Sequence, residues 1–192
     1  MRSPTIKHLI LLFSLVLLPF TAIAQDACTT EDDCDDGHLE RGVEKPPLKD
    51  RFRDNGDGTV TDNLTGLIWL KDANCFGTRA WYNALSDCNG LSSGSCGLTE
   101  GSSVGDWRLP NRNELASLVH KGYYNPAVPN TTGTGQWPEG DPFNNVQSYS
   151  YWSSPTDAST TVSAWGVNVY NGRVYDFSKT SYGYVWPVRG GH

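Results

Sequence analysis

The stretch Asp106-Trp107-Arg108-Leu109-Pro110-Asn111-Arg112-Asn113-Glu114-Leu115-Ala116-Ser117-Leu118-Val119 decides the fold, because it joins an extended aromatic lead-in to a helix with a marked start. Asn111 and Glu114 have the capping-box spacing, in which each side chain reaches a backbone N–H of the first turn that otherwise goes unpaired. Leu115, Leu118 and Val119 then share one helical face, a natural floor for a sheet. In the lead-in, Trp107 reads as a staple and Arg108 with Glu114 as a brace on the cap.

Upstream, Asp54-Asn55-Gly56-Asp57-Gly58-Thr59 resembles a calcium loop only superficially. An EF-hand ending its turn on Gly58 needs an acid or amide where Arg53 stands and Glu where Leu64 stands, so a turn into a strand is the better reading. Thr59-Val60-Thr61-Asp62 and Leu67-Ile68-Trp69-Leu70 are then hairpin arms joined by Asn63-Leu64-Thr65-Gly66, with Gly66 supplying the unusual backbone angle. Thr78 is the expected cap of a helix running to about Cys88, with Ala84, Leu85 and Cys88 forming an apolar stripe beside Trp81 and Asn89-Gly90 ending it. Residues 91–105 are loop chemistry. Within them Gly101-Ser102-Ser103-Val104-Gly105 matches the GxSxG string of serine hydrolases, but no strand precedes it to feed the required sharp turn, so the match is read as chance.

Downstream, residues 123–147 make a long connection with four prolines, either a binding element or a loop pinned by its own Trp137 and Phe143. Strands are expected at 149–153, 164–170, 173–178 and 184–188. Asn171-Gly172 is the strongest short hairpin signal in the chain, a two-residue turn needing positive φ at both positions. It sets an expected register in which Tyr170 faces Arg173, Val169 faces Val174, Asn168 faces Tyr175, Val167 faces Asp176 and Gly166 faces Phe177. Alternation puts Trp165, Val167, Val169 and Val174 on a core face, where Asp176 is out of place. The opposite face shows Asn168, Tyr170, Arg173, Tyr175 and Phe177, the candidate ligand-binding residues, since rigid amphipathic rings give contact area at small entropic cost. The alternative is a sheet face covered by the chain's own loops.

The chain opens with Met1-Arg2-Ser3-Pro4-Thr5-Ile6-Lys7, an apolar run over residues 9–18 and Ala22-Ile23-Ala24, the pattern of a secretory signal over residues 1–24. The run is short for a membrane span, and no second one follows. Residues 25–50 carry nine acids against three bases and almost no large apolar side chain, and read as an acidic flexible tether. A calcium site there lacks an acid or amide at Cys34. Residues 51–192 suit one domain rich in Gly, Trp, Tyr and Asn, a composition of short strands and ordered loops rather than a helical bundle. The formal charge of -6 becomes -8 without Arg2 and Lys7. The folded part is nearly neutral, with twelve acids against ten bases from Arg51 onward and no basic stripe, which argues against nucleic acid as a partner. Five cysteines in an oxidising compartment leave at least one thiol spare. Cys28 with Cys34 reads as a local clip. Among Cys75, Cys88 and Cys96 the expected bridge is Cys88 with Cys96. No Cys or His cluster has zinc spacing, and no metal or cofactor is expected.

Several segments taken together resemble the bacterial domain at the C-terminus of the Legionella collagen-like adhesin. They are Asp57-Gly58-Thr59-Val60-Thr61-Asp62, Thr65-Gly66-Leu67-Ile68-Trp69, Gly105-Asp106-Trp107-Arg108-Leu109-Pro110, Glu114-Leu115, Tyr151-Trp152-Ser153-Ser154, Ala164-Trp165 and Val188-Arg189-Gly190-Gly191. The resemblance implies an α+β, C-type-lectin-like domain, with two helices packed on short antiparallel strands and long ordered loops. It also implies an exported adhesion module, secreted, periplasmic or on the cell surface, whose partner is a glycan or a surface protein. The strings of calcium-dependent sugar lectins are missing, as is the collagen-like repeat. Many members bridge the first-helix Cys to one in the last strand, which here reads Tyr184-Val185-Trp186-Pro187-Val188. A composition rich in Tyr, Ser, Asn and Asp near the end also resembles receptor domains diversified by retroelements. A structural subunit of a surface assembly, oligomeric through the same aromatics, is the competing non-enzymatic reading. An enzyme is not expected, because no Cys follows Cys96 and beyond the signal the histidines are His38, His120 and His192.

Overall fold

The computed structural model describes residues 50–190; the signal, nearly all of the tether and the Cys28–Cys34 clip lie outside them. In chain order the elements are β1 (Phe52–Asp54), β2 (Thr59–Asp62), β3 (Leu67–Leu70), β4 (Thr78–Arg79), α1 (Trp81–Gly90), α2 (Arg112–Ser117), β5 (Ser150–Thr156), β6 (Ser163–Asn168), β7 (Arg173–Ser178), β8 (Gly183–Tyr184) and β9 (Val188–Gly190). They form an α+β arrangement of two sheets, β1-β2-β3-β9 and β4-β8-β5-β6-β7. Every strand pair is antiparallel except β5 with β8. No helix among the described residues is long and apolar enough to cross a membrane.

The β2–β3 hairpin forms with the expected arms, Val60 opposite Trp69. Asp62 fixes its turn by accepting the Leu64 N–H on its side chain at 2.9 Å and the Gly66 N–H on its carbonyl at 2.8 Å. Phe52 pairs with Asp62 and Leu67 with Gly190, so the start of β1 and the end of β9 sit at one end of this sheet.

The stretch from Asp106 to Val119 ties the two sheets together. Arg108 exchanges backbone hydrogen bonds of 3.0 Å in both directions with Val188, and the Pro110 carbonyl accepts the Ser154 N–H of β5. The Asn111 side chain accepts from the Asn113 and Glu114 N–H groups while Glu114 accepts from the Asn111 N–H, completing the capping box. Arg108 grips Glu114 through two hydrogen bonds of 2.7 Å. Trp107, Leu115 and Leu118 enter the main core with Trp69, Phe143, Tyr151 and Trp186, whereas Leu109 joins Trp81, Ala84, Cys88 and Trp152 under α1. The larger sheet therefore has α1 on one face and α2 with the main core on the other. The long connection is pinned by its own aromatics: Phe143 is buried edge-on against Phe52 and Trp186, and the Trp137 indole donates to the Phe143 carbonyl at 3.0 Å.

Five expectations need correction. Thr78 does not cap α1; it pairs with Tyr184 in β4–β8, the cap position falls to Ala80, and the Trp81 N–H is satisfied by the Lys179 carbonyl. The bridge is Cys75–Cys96, and Cys88 is buried and unpaired among the described residues, because α1 turns it into the core beneath Trp81. The last strand splits between the sheets, with Tyr184 in one, Val188 in the other and Pro187, which has no N–H to offer a ladder, in the crossing.

The fourth correction concerns the C-terminal hairpin, which closes on Asn168 opposite Arg173, with Val167 opposite Val174, Gly166 opposite Tyr175, Trp165 opposite Asp176 and Ala164 opposite Phe177. Its loop is four residues long, and Gly172 alone of the Asn171-Gly172 pair takes positive φ. The longer loop arises because Val169 and Tyr170 are captured elsewhere: Val169 donates to the Tyr149 carbonyl, and Ala127 and Asn125 donate to the carbonyls of Val169 and Tyr170. The shift is of two residues, so each side chain keeps its face. The fifth is Trp165, expected in the core but half-buried under Arg112; Val174 likewise is 36 % exposed.

Candidate functional site

One face of the β6–β7 hairpin lies on the α1 side of the sheet. Phe177, at its covered end, stacks flat on the buried Trp152, with centroids 3.6 Å apart and 9° between planes. Gly166 makes this approach possible, since a Cβ there meets Phe177 Cε1 at 2.5 Å and the Tyr151 carbonyl oxygen at 2.6 Å. Of the five residues assigned to this face, Phe177 therefore belongs as much to the interior as to the surface. Tyr175 continues the row at 5.3 Å from Phe177, and its hydroxyl shares a hydrogen bond with Ser150 Oγ.

Toward the turn the face opens. Arg173 is exposed, with its guanidinium carbon 5.8 Å from the Tyr175 centroid and no ion pair or side-chain hydrogen bond among the described residues. Asn168, opposite it, accepts the Tyr170 N–H at 2.9 Å and so fixes the point where the chain leaves the strand. Tyr170 then packs on Tyr124 at 4.3 Å with the two hydroxyls hydrogen-bonded, which raises the Tyr124 pKa above the ordinary phenol value. Tyr124 is 58 % exposed. Strand alternation does not single it out, although its place in the long connection and next to the turn-prone Asn125-Pro126 is a usable signal.

The opposite face of the same hairpin borders an open cavity of 440 Å³ lined by Trp165, Arg112 and Asp157 among others. Sequence periodicity missed it by placing Trp165 in the core; the signal was Pro155, which a strand accommodates at an edge or a bulge.

The groups with reactive potential are placed elsewhere. Cys88 is buried, and that burial, reinforced by the charge of Asp87, pushes its thiol pKa far up, so it is not a thiolate. His120 stacks on Tyr123 at 4.3 Å and accepts the Gly122 N–H on Nδ1 at 3.1 Å. Ser102, in the GxSxG string, is buried and accepts the Trp107 indole N–H at 3.0 Å. Among the described residues no three His, Cys, Asp or Glu side chains gather as a metal site.

A family model described as the Lcl C-terminal domain matches residues 58–189. The chain belongs to the Lcl C-terminal domain family. The match opens at Gly58, just before β2, and closes at Arg189 in β9, so it takes in both helices, the whole five-stranded sheet and the four-stranded sheet apart from β1 and the end of β9. No curated protein matches the chain. Membership in the Lcl C-terminal domain family bears out the resemblance to the adhesin's terminal domain and marks this as an adhesin-associated domain.

Proposed function

We propose that this Lcl C-terminal domain is an exported, non-enzymatic adhesion module on a C-type-lectin-like scaffold. It holds a glycan or a surface protein against Asn168, Tyr170, Arg173 and Tyr175, with Tyr124 alongside and Phe177 backing Tyr175. The observation that carries the reading is Arg173, an exposed guanidinium with no ion pair or side-chain hydrogen bond among the described residues, beside the half-buried Tyr175 ring. Arginine among tyrosines is recurrent contact chemistry, because rigid rings lose little entropy and the guanidinium presents several donors at once. Export is supported by the charged start and apolar run at the N-terminus and by the Cys75–Cys96 bridge, which suits an oxidising compartment. The non-enzymatic reading is supported by the inert settings of Cys88, His120 and Ser102.

The test is a screen of the full chain on glycan and surface-protein arrays, with and without calcium. Arg173→Ala and Tyr124→Ala each lower retention on the hits about tenfold and leave the melting temperature in place, an effect of roughly 1.4 kcal/mol. Retention that survives both substitutions refutes the assignment of this face. A stable oligomer that shields Arg173 from solvent identifies a subunit of a surface assembly instead.

A further inference from the structure

Beside Trp165, β5 parts from β6. The pairing moves from Trp152 with Gly166 to Thr156 with Ala164, so three residues of β5, Ser153, Ser154 and Pro155, stand opposite Trp165 alone. A bulge of this kind re-aims side chains and suits Pro155, which has no N–H for the ladder. Here it opens the 440 Å³ cavity between α2 and residues 155–158, within the range of about 300–1,000 Å³ usual for small-molecule sites.

The walls carry complementary groups. The Trp165 ring, half-buried, gives an apolar wall, and the Arg112 guanidinium lies over it at 4.6 Å. Arg112 makes no ion pair or side-chain hydrogen bond among the described residues, so its donors are free while the indole holds its position. Asp157 is 8 % exposed, and its carboxylate is oriented by the Ser159 N–H at 2.9 Å and the Ser159 hydroxyl at 3.0 and 3.1 Å. Each oxygen keeps acceptor capacity beyond those bonds. The Asn113 side chain, without a hydrogen bond among the described residues, lines the cavity as well.

We infer that this cavity is a binding site for a neutral saccharide, separate from the hairpin's outer face. A hydroxyl both donates and accepts, and here the Asp157 carboxylate, which only accepts, stands beside the Arg112 guanidinium, which only donates. With its face under Arg112, the half-buried indole meets the cavity by its edge, an apolar border for the C–H groups of a sugar ring. With one carboxylate, Asp157, balancing one guanidinium, the lining carries no net charge to draw a sulphated or carboxylated ligand, and the indole face a ligand cation needs is already taken by Arg112.

The experiment titrates the full chain by calorimetry with neutral oligosaccharides ending in glucose, galactose, mannose or an N-acetylhexosamine, and with a heparin-derived oligosaccharide. At least one neutral probe binds saturably at or below millimolar concentration. Arg112→Ala weakens it tenfold or more, and Leu64→Ala, at an exposed position in the β2–β3 turn, leaves it unchanged. Because Arg112 is exposed and unbonded, the variant keeps the wild-type melting temperature; should it not, Trp165→Phe serves the same test and also weakens binding. Failure of every neutral probe, binding of the heparin fragment alone, or wild-type affinity in the folded Arg112 or Trp165 variant overturns the site. Loss with Arg173→Ala but not with Arg112→Ala assigns the sugar to the outer hairpin face and also overturns it.

Discussion

Replacing Cys75 or Cys96 by Ser removes a bridge that closes a loop of sequence separation 21. In the chain-entropy view a cross-link of that span stabilises by about 3 kcal/mol. For a domain of this size roughly 3 °C of melting temperature accompanies each kcal/mol, so the expected fall is about 10 °C. Cys88→Ala removes only a sulfur from a fully buried position and costs about 1 kcal/mol by analogy with single-group core deletions. The assay is thermal unfolding of wild type, Cys75→Ser, Cys96→Ser and Cys88→Ala, each with and without reductant, together with non-reducing peptide mapping. Reductant lowers the melting temperature of wild type and Cys88→Ala by a similar amount. It adds little to Cys75→Ser or Cys96→Ser. Alkylation of Cys88 in the native protein is slow, since its thiol stays protonated and enclosed. A Cys75→Ser protein that keeps its reductant sensitivity, with a peptide linking Cys88 to Cys96, refutes the reasoning.

Gly166→Ala drives a methyl into the Phe177 ring and the Tyr151 carbonyl and destabilises by about 1–3 kcal/mol, read from urea unfolding; a neutral substitution contradicts the packing described. Burial works against ionisation of Glu114, yet the Arg108 and Asn111 hydrogen bonds and the guanidinium charge outweigh it and hold its pKa below the ordinary 4.5. With the folded pKa depressed, the stabilisation is present above about 4.5 and is lost as pH falls through the folded value. Glu114→Gln therefore flattens the pH dependence of the melting temperature in that window, and an unchanged profile contradicts it. A domain with twelve acids and ten bases beyond residue 50 elutes from heparin below physiological salt; tight, salt-sensitive retention shows a charge distribution other than the one described.

What was legible in the chain is what neighbours in sequence decide. The Asn63–Gly66 turn, the Asn111–Glu114 capping box and the stripe Trp81, Ala84, Cys88 need only local geometry. The hairpin register was misread because Asn171-Gly172 is a local signal overruled from a distance, by Asn125, Ala127 and Tyr149 claiming the backbone of Val169 and Tyr170. The face assignment survived because a slip of two residues keeps the alternation. Trp165 was misplaced for a related reason: periodicity carries no record of two extra residues on the neighbouring strand. Nor does spacing reveal that Cys75, outside any regular element, comes within a bond of Cys96 while the helical Cys88 turns inward.

Because β1 begins and β9 finishes at the same end of the four-stranded sheet, three interstrand steps of about 4.8 Å apart, the polypeptide enters and leaves like the two cords of a pendant. Tension between the flanks falls on that row of strands in an unzipping direction and bypasses the five-stranded sheet. Tension between one flank and anything gripped at the hairpin instead crosses from one sheet to the other, over the Arg108–Val188 clasp and the chain between Tyr184 and Val188, so the molecule's mechanical strength depends on which pair of points is pulled.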